Sequence, residues 1–210
     1  PSRSHLRVRV RGESEPPVVF YASTFSRSVT SAPALVEKIG ELSRSGRWRF
    51  IVTLHPKMDA EVVEQYRKLA GENLRFVESD EDLLPILPEA DVMLCDTSSI
   101  MFEFMFLDRP VVTYRTKMPG PYLIDVDDVG EVESALTKAM EYPVELMEAT
   151  RALCDELHSF RDGCSSARVI NAVDDFLENH QRKLGRKPLN VVRKMKVRLR
   201  LHRELSKTAR

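Results

Sequence analysis

The chain has 210 residues, of which 42% are hydrophobic, and its 32 basic and 32 acidic side chains give a formal net charge of zero. This length suits one α/β domain with extensions, and no apolar run reaches the roughly 20 residues that a membrane-spanning helix needs. We find no signal-peptide pattern and no metal-site spacing among Cys95, Cys154 and Cys164, so reduced thiols in the cytoplasm are expected.

Apolar runs and segments of helical spacing alternate along most of the chain. Residues 1–16 are basic and then rich in Gly, Ser and Pro, which predicts a linker or an entering segment. Strands are predicted at 18–21, 50–54, 74–77, 92–95 and 111–114, with a short sixth strand or an extended loop at 122–126. Helices are predicted at 34–42, 61–70, 100–107, 130–141, 144–158 and 164–179, and a short helix broken by prolines at 83–87. This order indicates an α/β, Rossmann-like domain over residues 17–180, built on a doubly wound parallel sheet.

The turn after the fourth predicted strand carries the clearest chemical signal. The strand ends at Asp96, and Thr97, Ser98 and Ser99 lead directly into a helix. In a parallel sheet this turn lies at the carboxyl edge, where free helix N–H groups and hydroxyls suit a phosphate. The alternative is that Thr97 or Ser98 serves only as the helix N-cap. The chain has neither a G-x-G-x-x-G motif nor a P-loop, and we expect no cofactor and no metal.

Other loops should meet this turn at the same edge. One follows the first strand and includes Thr24 and Arg27, and another is His55-Pro56 after the second strand. A further segment, residues 160–168, opens the last helix of the domain with Asp162 and Arg168. Together these loops predict a ligand site assembled from distant parts of the chain.

These motifs resemble the C-terminal half of the CDP-glycerol glycerophosphotransferases, which build wall teichoic acid and related polymers. The shared residues are Tyr21-Ala22, Thr24, His55-Pro56, Asp96, Ser98-Ser99, Glu103, Pro110, Asp162-Gly163 and Arg168. The chain departs from the family pattern at Ser23, Phe25 and Thr97, where the family has Pro, Trp and Tyr, and Arg27 is displaced by one position. The resemblance covers residues 17–180 and implies one half of a GT-B-type architecture.

The family reaction transfers glycerol phosphate from CDP-glycerol to a hydroxyl of a polymer or lipid-linked acceptor and expels CMP. The resemblance implies that His55 is catalytic, either hydrogen-bonding a phosphate or neutralising CMP as an imidazolium. The implied substrate-binding residues are Thr24, Arg27, Asp96, Thr97, Ser98, Ser99, Glu103, Asp162 and Arg168. Three alternatives stay open: His55 packs only beside Pro56, Glu103 is a solvated or capping acid, and Asp162-Gly163 is only a turn before a helix.

Family members also carry an acceptor half with a catalytic His-Gly loop. No histidine of this sequence is followed by glycine. We therefore expect the chain on its own to turn over little or no substrate, because positioning both substrates supplies much of the rate.

Residues 181–210 form a basic tail with 12 Lys or Arg and one acid, whereas residues 1–180 hold 20 basic and 31 acidic side chains. As a helix, residues 191–205 place Arg193, Lys196, Arg200 and Arg203 opposite a wide apolar sector. A basic amphipathic helix favours binding to an anionic membrane surface, here the inner face of the cell membrane. A solvated, partly disordered tail is the alternative. No aromatic platform or known nucleic-acid fold accompanies the charge, so no nucleic-acid partner is expected.

Two other functions fit the same pattern. One is a GT-B sugar-nucleotide enzyme, either a glycosyltransferase or a relative of the UDP-sugar 2-epimerases. The epimerases tend to carry a Ser-Gly-Gly turn where this chain has Ser98-Ser99, which counts against them. The other is a non-catalytic Rossmann-like module that acts as a scaffold, with its function in the membrane-binding tail.

Overall fold

The computed structural model describes residues 15–160, 162–180 and 189–208. The expected linker at residues 1–16 therefore lies almost wholly outside the described residues, as does part of the tail. The chain divides into two compact units, residues 1–161 and 162–210. The last predicted helix of the α/β domain thus groups with the tail, although the charge pattern alone puts the boundary after residue 180.

The first unit contains a six-stranded sheet and five α-helices among its described residues. The strands are β1 (Val18–Ser23), β2 (Arg49–Leu54), β3 (Leu74–Val77), β4 (Val92–Cys95), β5 (Val111–Tyr114) and β6 (Ile124–Val126). The helices are α1 (Ala32–Arg44), α2 (Ala60–Lys68), α3 (Ile100–Met105), α4 (Val132–Ala139) and α5 (Val144–Leu157). Every predicted strand is present, including the sixth.

All neighbouring strands pair in parallel in the order β3-β2-β1-β4-β5-β6. Successive residues of a strand point to opposite faces, so β1 sends Val19 and Tyr21 into one core and Phe20 and Ala22 into the other. Apolar residues of α1, α2 and α4 complete the first core, and those of α3 and α5 complete the second. The predicted doubly wound α/β fold is therefore confirmed.

Two predicted helices differ from the structure. Residues 84–86 form a turn that continues as a single 3-10 turn, Leu87–Glu89, instead of a helix over 83–87. Pro85 has no N–H to donate and disfavours a helical conformation at Leu84, which explains the short turn. Helix α3 ends at Met105 rather than Leu107, and Asp108 then adopts a left-handed φ of 58°.

The second unit consists of two helices among its described residues. Helix α6 spans Ser165–Asp175 and continues as a π-helical turn, Phe176–His180, and α7 spans Val191–Thr208. The side chains described in α7 are all exposed, and they include large apolar ones such as Val192 and Met195. Helical spacing also places Lys194 and Arg198 within the predicted apolar sector, which is therefore less uniform than expected.

Candidate functional site

A cleft opens at the carboxyl edge of the sheet, where the strand order changes direction. From β1 the chain leads outward to β2, whereas from the adjacent β4 it leads the other way to β5. The loops that follow β1 and β4 consequently diverge and leave a crevice between them. Ligands of open parallel sheets bind in such a crevice.

Asp96 holds the floor of this crevice together. It is fully buried, and its Oδ2 accepts hydrogen bonds from Ser23 Oγ at 2.5 Å, from Ser31 N at 2.9 Å and from Ser31 Oγ at 2.9 Å. Its Oδ1 accepts from Thr24 N at 3.0 Å. The carboxylate thus ties the end of β4 to the loop after β1 and the start of α1. Asp96, predicted to bind substrate, lies beneath the loop rather than at its surface.

The hydroxyl turn after Asp96 presents unused hydrogen-bonding groups. The N-cap of α3 is Ser99, and no side chain caps the helix, so capping does not explain Thr97 or Ser98. Among the described residues, neither Ser98 Oγ nor Ser99 Oγ has a hydrogen-bond partner, and the N–H groups of Ser99 and Ile100 have none. These groups form a cluster of donors at the start of α3.

The structure brings this cluster together with His55. Ser98, Ser99 and His55 line one cleft of about 210 Å³, together with residues from the ends of β1, β2 and β3. The predicted meeting of the hydroxyl turn with the loop after β2 therefore holds in the folded chain. The hydroxyl turn and His55 are far apart in the sequence. They come together because the strands they follow, β4 and β2, both pair with β1.

The imidazole of His55 is oriented by two contacts. Its Nδ1 accepts a hydrogen bond from Lys57 N at 3.1 Å, and its ring packs against Phe25 with the centroids 4.3 Å apart. An accepting Nδ1 carries no proton, which assigns the ring proton to Nε2. The side chain is exposed, so Nε2 is available to a ligand.

Two carboxylates line the same cleft and were not predicted. Glu78 accepts two hydrogen bonds from Arg67, at 2.9 and 2.6 Å, and this pairing holds the pKa of Glu78 below its ordinary value. Glu81 is 3.1 Å from Arg75. Both arginines offset negative charge that would otherwise repel an anionic ligand. The rule that located His55 also applies to Glu78, since both directly follow a parallel strand.

Three predicted residues lie beside or outside the cleft. Thr97 Oγ1 accepts a hydrogen bond from Lys117 N at 2.9 Å, so its hydroxyl binds the backbone of the loop after β5. Glu103 is exposed on α3 and does not line the cleft. Thr24 is half-buried and its backbone bonds to Asp96. The roles predicted for these side chains stay predictions.

Arg27 lines a different cleft. Its Nη2 donates to Asp59 Oδ2 at 3.2 Å, and both side chains are largely exposed. Phe25, Lys57 and Met58 line this second cleft, which has a volume of about 300 Å³. The structure therefore separates Arg27 from Ser98 and Ser99, with which the sequence grouped it.

Asp162 and Arg168 belong to the second unit, where they pair with each other. Arg168 donates to both carboxylate oxygens of Asp162, through Nη1 at 2.8 Å and through Nη2. Cys164 N also donates to Asp162, at 3.0 Å, and Gly163 has a left-handed φ of 73°. These bonds, chiefly those from Arg168, lower the pKa of Asp162. The open alternative, a turn leading into a helix, describes this local structure.

No group of three His, Cys, Asp or Glu side chains within the described ranges is arranged to hold a metal ion. No helix in the described part of the chain is long and apolar enough to cross a membrane.

Solved structures with a similar fold include a protein solved with UDP and a glycotransferase. S. aureus MnaA, in its co-structure with UDP, is 16% identical with a TM-score of 0.54, and the match covers 83% of this chain and 48% of that one. The glycotransferase of kitacinnamycin is 15% identical with a TM-score of 0.51, covering 82% of this chain and 47% of that one. This chain spans less than half the length of either protein. The likeness shows the fold alone, one Rossmann-like half of a GT-B-type architecture.

Sequence comparison extends this result from fold to family. No curated protein sequence gives a significant match. The model of one family, however, matches residues 6–175, which include every strand of the sheet and the whole cleft. The chain therefore belongs to the family described as CDP-Glycerol:Poly(glycerophosphate) glycerophosphotransferase.

Proposed function

We propose that this chain is the donor-binding domain of a transferase that moves glycerol phosphate, or a related polyol phosphate, from CDP-glycerol to a polymer or lipid-linked hydroxyl. Family membership over residues 6–175 supports the reaction class. The position of the cleft at the point where the strand order reverses supports a nucleotide as its ligand.

The observation that carries the proposal is the set of unbonded donors at the start of α3. Ser98 Oγ, Ser99 Oγ and the N–H groups of Ser99 and Ile100 have no partner in the described chain. The diphosphate of CDP-glycerol would satisfy all of them. Phosphoryl transfer depends mainly on positioning and on stabilising charge on the phosphate oxygens, which these donors supply.

His55 lines the same cleft as these donors. In the transfer, the oxygen of an acceptor hydroxyl bonds to the phosphorus that carries glycerol, and its proton is released to water. The bond from that phosphorus to the bridging oxygen breaks. The electron pair stays on the phosphate of the departing CMP. Nε2–H of His55 donates a hydrogen bond to that phosphate and so stabilises the developing charge.

Titration calorimetry with CMP, CDP-glycerol and UDP-sugars tests the donor site. Each hydrogen bond to a charged group contributes about 1.5–3 kcal/mol, and the backbone donors stay in place after substitution. We therefore expect S98A/S99A to weaken CDP-glycerol binding by a few kcal/mol at most.

The matched control is S134A, which removes an exposed hydroxyl that bonds only to Glu131 O and does not line the cleft. It should leave the affinity unchanged. Equal CDP-glycerol affinity in S98A/S99A and the parent chain would remove the phosphate site from this turn. Preferential binding of UDP-sugars would instead assign the chain to sugar transfer.

We also propose that α7 holds the transferase on the cytoplasmic face of the cell membrane, where a lipid-linked acceptor would be found. Val192, Met195 and Leu199 are each more than half exposed, at 67%, 57% and 57%. Basic side chains, among them Arg193, lie on the same helix. Apolar insertion combined with charge attraction to anionic lipid is the binding mode of such helices. The side chain of Arg203 lies outside the described part.

A further inference from the structure

The second cleft at the carboxyl edge has a composition unlike that of the donor cleft. Phe25, Arg27, Lys57 and Asp59 line it, so it carries two cations and one acid beside an exposed aromatic ring. The donor cleft has Glu78 and Glu81 in its wall. The second cleft is thus the more positive of the two, and its charge favours binding of an anion in addition to the donor.

The cations of the second cleft are available to a ligand. The side chain of Arg27 is 92% exposed and that of Asp59 is 52% exposed, so their ion pair lies in water. Exposed pairs of this kind contribute little to stability, and the guanidinium can exchange the carboxylate for a phosphate. Lys57 Nζ lies 5.5 Å from the centre of the Phe25 ring, which holds the ammonium near the cleft.

A pair of neighbouring rings links the two clefts. His55 lines the donor cleft, Phe25 lines the second cleft, and their ring centroids are 4.3 Å apart. A transferase must hold its two substrates within reach of each other. A ligand in the second cleft would therefore lie beside a donor whose phosphates contact His55.

We propose that this second cleft binds a phosphodiester of the acceptor polymer, with Arg27 and Lys57 pairing with its oxygens. The inference rests on the proposed transferase function, because it assigns the neighbouring site to the other substrate. Arg27 thus serves the acceptor instead of the donor. Apolar side chains of the cleft, Pro33, Met58 and Val62, lie where the glycerol carbons of the polymer would pack.

The test uses NMR titration of the full ¹⁵N-labelled chain, because site-resolved shifts distinguish this cleft from the basic tail. The probe is glycerophosphoglycerol, a single phosphodiester between two glycerols. We expect saturable shifts at the amides of Phe25 and Lys57. R27Q/K57Q should weaken this binding about tenfold or more, since each charge-assisted hydrogen bond contributes an amount of that order.

The matched control is R44Q/K68Q. These residues lie in the last turns of α1 and α2, the helices that follow Arg27 and Lys57. Exposed charges so far from the cleft are screened, and we expect less than about a twofold change. The affinity for CDP-glycerol should stay within about twofold in R44Q/K68Q, because neither residue lines either cleft.

Four outcomes would overturn the proposal. They are shifts confined to α7, equal weakening in R44Q/K68Q, equal affinity for inorganic phosphate, and shifts produced only by phosphatidylglycerol vesicles. Shifts at Ser98 and Ser99 on addition of CDP-glycerol report the donor site separately. If CDP-glycerol produces no such shifts while glycerophosphoglycerol still binds, the proposed donor is wrong and the proposed anion site in the second cleft is retained.

Discussion

At the scale of single residues, the hydrogen bond from Lys57 N to His55 Nδ1 defines what the imidazole can do. With Nδ1 accepting, Nε2 is the ring nitrogen that donates, so a contact of His55 with phosphate would run through Nε2–H.

This geometry gives a prediction for two substitutions of His55. The amide nitrogen of Gln reaches the position of Nε2, whereas the shorter Asn side chain reaches only that of Nδ1. We expect H55Q to keep most of the affinity for CDP-glycerol and H55N to lose roughly 1.5–3 kcal/mol, the amount typical of a hydrogen bond to a charged group. Calorimetry measures both variants. Equal affinities in H55Q and H55N would show that Nε2 makes no such bond.

At the scale of elements, two buried tyrosines join β1, α1 and α2 beneath the site. Tyr21 Oη lies 2.8 Å from Ser31 Oγ, and Tyr66 Oη donates to Ala32 O at 2.9 Å. Ser31 also bonds to Asp96, so the tyrosines support the same network that holds the floor of the crevice. Burial raises the pKa of both phenols above the ordinary 10.0 and keeps them protonated.

These raised pKa values predict a loss of stability in alkali. The unfolded chain releases the two protons as the pH rises through 10.0, while the folded chain keeps them. The folded state then binds more protons, so the free energy of unfolding falls as pH increases. This stabilisation is fully present below that pH and is lost as the pH rises toward the folded-state values.

Urea denaturation of the parent chain and Y66F from pH 8 upward measures this effect. Y66F should lose about 1 kcal/mol at pH 8 from the missing hydrogen bond, and its stability should fall less steeply above pH 10. The control Y122F removes a hydroxyl that bonds to Met118 O at 3.2 Å on an exposed turn, and it should keep the parent slope. Parallel slopes for Y66F and the parent would show that Tyr66 does not contribute.

At the scale of the whole molecule, positive and negative charge are concentrated in different parts of the chain. The tail is strongly basic and the remainder is acidic. An anionic surface would therefore attract the tail and not the rest of the chain. Three Lys or Arg side chains near such a surface contribute about 1 kcal/mol each. R193Q/K196Q/R200Q should therefore lower the affinity for phosphatidylglycerol vesicles about a hundredfold at low salt.

Vesicle co-sedimentation and circular dichroism measure this binding and the helix content together. V192S/M195S/L199S should also weaken binding, because the apolar side chains would no longer insert. R44Q/K68Q, with its charges removed outside the tail, should bind like the parent. Unfolding of the V192S/M195S/L199S chain would mean that this face of α7 packs against protein, and the membrane role would then be wrong.

The sequence by itself determined the alternation of strands and helices, because the periods of two and 3.6 residues are local properties of the chain. It also located His55, Ser98 and Ser99, since a residue at the end of a parallel strand lies at one edge of the sheet whatever the strand order. Local pattern was less reliable at Leu84, where Pro85 limits the helix to a turn.

Only the tertiary structure decided which of these edge residues meet. The position of Asp96 beneath the loop depends on bonds to Ser23 and Ser31, 73 and 65 residues away, which exist only because β1 lies beside β4. The same strand order brings Ser98 and His55 into one cleft, whereas Arg27 and Lys57 line another. Periodicity carries no information on strand order, so no reading of the sequence could separate the two clefts.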